Sequence, residues 1–104
     1  MVPIKLVIAD DHPIFRDGLK WILSFEKDLL VLGEASRGDE ISEVAESTRP
    51  DVLLLDLQMP GGEAAQILRD VSERSPDTKV LIFTAFSDEE TVVRMAMEIG
   101  RAHV

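Results

Sequence analysis

The sequence predicts an open α/β sheet of parallel strands with helices on both faces. Three observations indicate this class. Four short, apolar, β-branched runs alternate with four segments whose apolar residues recur at helical spacing. One run, Val52–Leu55, is apolar at every position, which is typical of a strand buried on both faces. The third observation is size: four strands in 104 residues are too few for a barrel, so we expect a flavodoxin-like sheet in the order 2-1-3-4.

The composition fits one soluble globular domain that spans residues 1–104. Hydrophobic residues make up 45% of the chain, and no run approaches the roughly 18 apolar residues that a membrane helix needs. The absence of cysteine excludes a disulfide framework, a thiolate metal site and a thiol nucleophile. The net charge of −9 disfavours direct nucleic-acid binding by this segment. Because the N-terminus begins a strand rather than a signal peptide, we expect a cytoplasmic protein without membrane contact.

Each strand is predicted from a short apolar segment that ends at polar or turn residues. The four segments are Ile4–Ala9, Leu29–Ala35, Val52–Asp56 and Val80–Phe83. Each of them is followed by a segment with helical periodicity, so the predicted order is strand and helix four times over. This alternation is the reason for expecting parallel rather than antiparallel strands.

The helix boundaries are predicted from capping and breaking residues. The first helix begins at Pro13 and fades near residues 25–27, and the second is closed by Pro50. The fourth begins with a capping-box pattern in which Ser87 is the N-cap. Gly100 is its predicted C-cap.

Polar side chains follow three of the predicted strands at their carboxyl ends. Asp10 and Asp11 follow the first strand, Asp56 ends the third and Thr84 follows the fourth. Since these strands are neighbours in the order 2-1-3-4, about 4.8 Å apart, the side chains should converge in one pocket. Close carboxylates repel each other, and a hard divalent cation relieves the repulsion. The pattern therefore predicts a Mg²⁺ site, to which the backbone carbonyl of Gln58 can add an oxygen.

The same residues suggest phosphoryl chemistry. An aspartate carboxylate can attack phosphorus to form an acyl phosphate, and the Thr84 hydroxyl can donate to a phosphoryl oxygen. Some side chains have simpler interpretations. Asp11 is also a candidate N-cap of the first helix, and His12 is better explained as a solvated or hydrogen-bonded side chain than as a metal ligand.

Three motifs carry a family resemblance when they are taken together. They are Asp-Asp-His-Pro after the first strand, Leu-Leu-Asp-Leu-Gln-Met-Pro-Gly at the third and Val-Leu-Ile-Phe-Thr-Ala at the fourth. With these motifs the chain resembles the receiver domain of bacterial two-component response regulators over nearly its whole length. The stretch at residues 9–19, Ala-Asp-Asp-His-Pro-Ile-Phe-Arg-Asp-Gly-Leu, is most similar to the LuxR/FixJ-type subfamily, whose receiver is joined to a helix-turn-helix domain.

The resemblance implies roles for the acidic residues. Asp56 would be the phosphoacceptor. Asp10 and Asp11 would hold Mg²⁺ together with Asp56 and the backbone carbonyl of Gln58. The expected partner is a histidine kinase.

The resemblance also implies roles for the residues around the fourth strand. Thr84 would be the switch hydroxyl that moves toward the phosphoryl group, and Ala85 the small residue that leaves room for it. Gln58 and Phe86 lie two residues beyond Asp56 and Thr84. Side chains at these two positions would tune the lifetime of the phosphoaspartate.

The chain departs from the family pattern at its C-terminus, where residues 101–104 stand in place of the usual link to a fifth strand. We therefore expect a C-terminally truncated receiver domain. The fifth strand and helix, the Lys that follows that strand and the DNA-binding output domain would all be missing. We also expect homo-oligomers, formed through the exposed edge of strand four or through bare apolar faces.

The leading functional interpretation is a phospho-accepting switch in transcription control, which is not a turnover enzyme and contacts DNA only through the missing domain. The alternative is a pseudo-receiver, an interaction module that does not switch because the Lys is absent. A Mg²⁺-dependent phosphohydrolase is a third interpretation. It is disfavoured because Gln58, rather than a second acid, stands two residues after Asp56.

Overall fold

The computed structural model describes residues 2–83 and 88–102, in which four parallel strands alternate with four helices. The strands are β1 (Ile4–Ala9), β2 (Leu29–Ala35), β3 (Val52–Asp56) and β4 (Lys79–Phe83). The helices are α1 (Pro13–Leu23), α2 (Gly38–Thr48), α3 (Ala64–Arg74) and α4 (Glu89–Ala102). The strands form one sheet in the order β2-β1-β3-β4, which confirms the predicted fold class and strand order.

Helices cover both faces of the sheet, and β3 lies between two cores. Leu54 belongs to the core formed with α1 and α4, whereas Leu53 and Leu55 belong to the core formed with α2 and α3. Because alternate side chains of a strand point to opposite faces, an all-apolar strand is what this position needs. Each fully buried leucine stabilises the fold by roughly 1.5–3 kcal/mol. In the described part of the chain, no helix is both long and apolar enough to cross a membrane.

The predicted end of α1 was wrong by a few residues, because the helix ends at Leu23 rather than near residues 25–27. The N–H groups of Phe25 and Glu26 donate to carbonyls three residues earlier, those of Ile22 and Leu23. The backbone therefore continues in a tighter turn after the α-helix stops, as helix termini often do. The sequence pattern does not distinguish these two conformations.

The predicted N-cap of α4, Ser87, lies outside the described residues, and within them Asp88 caps the first turn of the helix. A carboxylate oxygen of Asp88 accepts a hydrogen bond of 2.8 Å from the backbone N–H of Thr91, which lies three positions into the turn. The predicted C-cap was also wrong, since Gly100 lies within α4. A Cβ at Gly100 would lie 2.6 Å from a methyl carbon of Ile4, so close packing explains this glycine better than a turn.

Candidate functional site

The register of the sheet places three carboxylates at the carboxyl ends of its central strands. The residues that precede Asp10 and Asp56 are paired across β1 and β3, so the two aspartates come next on adjacent strands. Asp10 is completely buried and Asp56 is 3% exposed, whereas the side chain of Asp11 is 31% exposed. One oxygen from each carboxylate and a ring nitrogen of His12 all lie within 4.8 Å of one another. The structure therefore brings together the three acids that the sequence placed at one edge.

The chemistry of this cluster fits a divalent cation. The Oδ2 atom of Asp10 has no hydrogen-bond partner among residues 2–83 and 88–102, although its side chain is buried. Burial raises the pKa of the Asp10 carboxyl, and the neighbouring charge of Asp56 adds to the rise, while hydrogen bonds from His12 oppose it. A buried, unpartnered carboxylate oxygen is costly unless a proton or a cation satisfies it. The cluster is thus an oxygen-rich group of ligands of the kind that Mg²⁺ prefers.

The ring of His12 lies against all three carboxylates of the cluster. Its Nδ1 atom lies 3.1 Å from an oxygen of Asp10, 3.1 Å from one of Asp11 and 3.3 Å from one of Asp56. Its backbone N–H also donates to Asp10 Oδ1 over 2.9 Å. The hydrogen bond with Asp10 and the charge of Asp11 raise the pKa of the His12 imidazole. His12 is therefore a half-exposed, hydrogen-bonded side chain, and it also takes the N-cap position that was considered for Asp11.

The loop between β3 and α3 is fixed next to the cluster by backbone contacts. The N–H of Gln58 donates to Asp56 Oδ1 over 3.1 Å, which orients the carboxylate at the end of β3. The N–H of Gly38 donates to the carbonyl of Pro60 over 2.8 Å and ties the loop to the start of α2. Gly61 has φ of 97°, a conformation that glycine adopts without strain. The remaining predicted site residues, Thr84, Ala85 and Phe86, lie outside the described residues.

We predict that Gly38→Ala destabilises the fold by about 1–3 kcal/mol, because a Cβ there would lie 2.8 Å from Ile67 Cδ1 and 3.2 Å from the backbone of Gly61. The matched control is Gly18→Ala within α1, where the added Cβ would meet only the far end of the Glu89 side chain, at 3.0 Å. That change should be neutral or stabilising by up to about 1 kcal/mol, because alanine favours helix interiors. Urea unfolding measures the free energy of unfolding of both variants, and an equal change in the two would contradict the packing argument.

Sequence reasoning missed the apolar part of the pocket. The rings of Phe15 and Phe83 are stacked with their centroids 5.3 Å apart, and both line the pocket beside Asp10 and Asp56. Glu89, at the start of α4, also lines it. The sequence does not show that Phe15 meets Phe83, since that contact depends on the packing of α1 against β4.

The buried aspartates at the carboxyl edge of a parallel sheet in the order 2-1-3-4 agree with the receiver domain that the sequence motifs resemble. Residues 6–103 match the family model of the response regulator receiver domain. The match covers most of the chain, and the chain belongs to this family. The resemblance seen in the sequence motifs is therefore confirmed.

Individual relatives narrow the class further. The chain is 48% identical over 102 residues to the oxygen regulatory protein NreC of Staphylococcus epidermidis, a match that covers 97% of this chain and 47% of NreC. It is 41% identical over 91 residues to the nitrate/nitrite response regulator protein NarL of Escherichia coli, with 88% of this chain and 42% of NarL covered. It is thus a receiver domain of the NarL/NreC type, and it spans less than half the length of these relatives.

Solved structures agree with this assignment. The signal receiver domain of a NarL response regulator from Mycobacterium tuberculosis superposes with a TM-score of 0.75 at 37% identity, over 96% of this chain and 80% of that one. The REC domain of AraT, a response regulator from Geobacillus stearothermophilus, gives a TM-score of 0.79 over 98% of this chain and 95% of its own. Its identity is 23%, so this second likeness shows the fold alone.

Proposed function

We propose that this receiver domain accepts a phosphoryl group on Asp56 from a histidine kinase and that Mg²⁺ is required for the transfer. The observation that carries the proposal is the buried pair of Asp10 and Asp56 on adjacent strand ends, with one oxygen of Asp10 left without a partner among the described residues. A site that only stabilised the fold would gain nothing from two buried carboxylates. A site that holds a cation and a phosphoryl group needs them.

Each acidic residue has a distinct part in the proposed transfer. A carboxylate oxygen of Asp56 attacks phosphorus and the phosphorus–nitrogen bond of a phosphohistidine breaks; the kinase imidazole, already protonated on its other ring nitrogen, keeps the bonding electron pair and leaves as neutral imidazole. Asp10, Asp11 and the Gln58 carbonyl would hold Mg²⁺ together with Asp56. When bound, Mg²⁺ neutralises charge on the attacking carboxylate and on the phosphoryl oxygens. The N–H of Gln58, 3.1 Å from Asp56 Oδ1, keeps the carboxylate oriented.

Residues that follow β3 and β4 complete the proposal. The Thr84 hydroxyl would donate to the bound phosphoryl group, and Ala85 would leave space for it. The side chains of Gln58 and Phe86 would set how fast water reaches the acyl phosphate. Support for these four roles comes from their positions in the family motifs.

The 104 residues are proposed to act as the receiver part of a cytoplasmic transcription regulator. Support comes from NarL and NreC, of which the chain matches 42% and 47%. Contact with DNA would belong to a separate output domain, because the acidic segment itself, with a net charge of −9, repels a duplex. The domain would promote its own phosphorylation and dephosphorylation and would not turn over an external substrate.

Beryllofluoride, which mimics a phosphoryl group bound to a carboxylate, tests the site without turnover. Fluorine NMR should show a bound signal that requires both beryllofluoride and Mg²⁺ and disappears when EDTA is added. Binding without Mg²⁺ would contradict the proposed cation role. No binding under any condition would favour a pseudo-receiver that acts only through protein contacts.

We also predict that the chain self-associates through β4. This strand pairs with β3 on one side, and no strand within residues 2–83 and 88–102 pairs with its other side. Its residue Ile82 is 43% exposed. An exposed strand edge can pair with another chain, and a lysine on it disfavours that pairing. Light scattering of the unmodified chain should give a mass above that of the monomer, and the Ile82→Lys variant should give a lower mass. The control Met95→Lys changes a similarly exposed residue on α4 and should leave the mass unchanged, and a monomer at all concentrations would contradict the prediction.

A further inference from the structure

We propose that Arg16 is a positioning residue for the cation site, an inference that rests on the proposed binding of Mg²⁺. The Nη1 atom of Arg16 donates to the backbone carbonyl oxygen of Asp10 over 2.6 Å. The backbone N–H of Asp10 donates to the carbonyl of Ala35 over 3.0 Å. Both main-chain groups of the most buried acid in the cluster are therefore held, one by α1 and the other by the end of β2.

The guanidinium of Arg16 also forms an ion pair with a residue of β2. Its Nε atom lies 3.1 Å from Oε1 of Glu34, the residue directly before Ala35. Lys20, one turn further along α1, has its Nζ atom 3.3 Å from the other oxygen of the same carboxylate. The side chain of Arg16 is only 21% exposed, so solvent screens its contacts less than those of a surface pair. Glu34 and Arg16 thus connect β2, α1 and the end of β1 at the site.

The position of the Asp10 carboxylate follows from its main chain, because the side chain is short and fully buried. Mg²⁺ requires near-octahedral geometry and tolerates small displacements of a ligand poorly. Residues that hold metal ligands in place typically change metal affinity by 10–100-fold when they are replaced. Loss of the donor to the Asp10 carbonyl should therefore weaken cation binding even though Arg16 is not one of the proposed ligands.

A competing explanation is that Arg16 acts only through its positive charge. Lys20 separates the two explanations, since it carries the same charge and pairs with the same Glu34 carboxylate. Its only described side-chain partners are Glu34 and Asp17, so it makes no contact with Asp10. Arg16→Gln and Lys20→Gln therefore remove equal charge, but only the first removes a hydrogen bond to the main chain of Asp10.

The test is a calorimetric titration of the chain with MgCl₂. We expect Arg16→Gln to bind Mg²⁺ about 10-fold more weakly than the unmodified chain. Lys20→Gln should bind within about twofold of the unmodified chain, because exposed charges are well screened. Arg16→Lys should recover part of the affinity, because an ammonium can still donate to the Asp10 carbonyl.

A second readout separates a positioning role from general loss of structure. With acetyl phosphate as donor, Arg16→Gln should need more Mg²⁺ for half-maximal labelling but reach the unmodified rate at saturating Mg²⁺. If that variant does not fold, Glu34→Gln replaces it and should raise the Mg²⁺ requirement in the same direction. Unchanged affinity in the folded Arg16 or Glu34 variant, or equal weakening in Lys20→Gln, would overturn the inference. Absence of Mg²⁺ binding by the unmodified chain would instead reject the proposed function on which the inference rests.

Discussion

Asp56→Asn is expected to abolish covalent phosphoryl incorporation from acetyl phosphate. The carboxamide has nearly the shape of the carboxylate, but its oxygen is a much weaker nucleophile and carries no charge to bind a cation. Although Asp56 is buried at the end of β3, the substitution should leave the fold intact, because asparagine has nearly the same shape and keeps an oxygen that can accept the Gln58 N–H. Intact mass spectrometry after incubation with acetyl phosphate and Mg²⁺ should show one added phosphoryl group on the unmodified chain and none on the variant.

The matched control for this experiment is Asp17→Asn. Asp17 lies on α1 with a side chain that is 72% exposed, and its described ion pair is with Lys20 at 3.6 Å. The change removes the same charge as Asp56→Asn but lies away from the carboxylate cluster. It should label like the unmodified chain, and omission of Mg²⁺ should prevent labelling of both. Labelling of Asp56→Asn at the unmodified rate would show that another residue is the acceptor.

Asp10→Asn is expected to stabilise the cation-free chain by about 1–2 kcal/mol, although it changes a fully buried residue. The pKa of Asp10 is raised, chiefly by burial, which means that the folded state binds the proton more tightly than the unfolded state. Above that raised pKa the carboxylate is ionised in both states, and its buried charge costs free energy only in the folded one. Asparagine removes this charge and keeps an oxygen that can accept the His12 N–H.

Urea unfolding in EDTA and in excess Mg²⁺ checks this second prediction. In EDTA the unfolding midpoint of Asp10→Asn should be higher than that of the unmodified chain. In Mg²⁺ the unmodified chain should gain stability, because binding to the folded state alone stabilises it, while the variant, lacking a ligand, should gain much less. Asp17→Asn should follow the unmodified chain in both conditions. Destabilisation by Asp10→Asn in EDTA would show that the ionised carboxylate makes contacts that offset its burial.

Much of this fold could be predicted because short local patterns in the sequence indicate its strands. The apolar runs of β1 and β2 end at polar or turn residues, and the structure places both strands at the predicted residues. The helix ends were less predictable, since α1 stops at Leu23 and the backbone then continues in a tighter turn that the sequence pattern does not distinguish from a helix. Glycine is a common residue at helix C-caps, which is why Gly100 was predicted to be one. Its packing against Ile4 is a tertiary contact that the local sequence does not indicate.

The convergence of the aspartates could be predicted for a different reason. The carboxyl ends of parallel strands meet at one edge whatever the side chains do, so Asp10 and Asp56 needed only the strand order to be placed together. The contacts that hold them could not be predicted in this way. The reach of Arg16 to the Asp10 carbonyl depends on the angle at which α1 leaves β1, and the distances from His12 depend on its rotamer.

The most direct test of the central claim is to locate the phosphoryl group on the chain. An acyl phosphate on aspartate is reduced by borohydride to homoserine, which tandem mass spectrometry can assign to a single position. After labelling with acetyl phosphate in Mg²⁺, we predict homoserine at position 56 and unreduced aspartate at positions 10 and 11. Homoserine at another aspartate, or efficient labelling when Mg²⁺ is chelated, would contradict a cation-dependent acceptor at the end of β3.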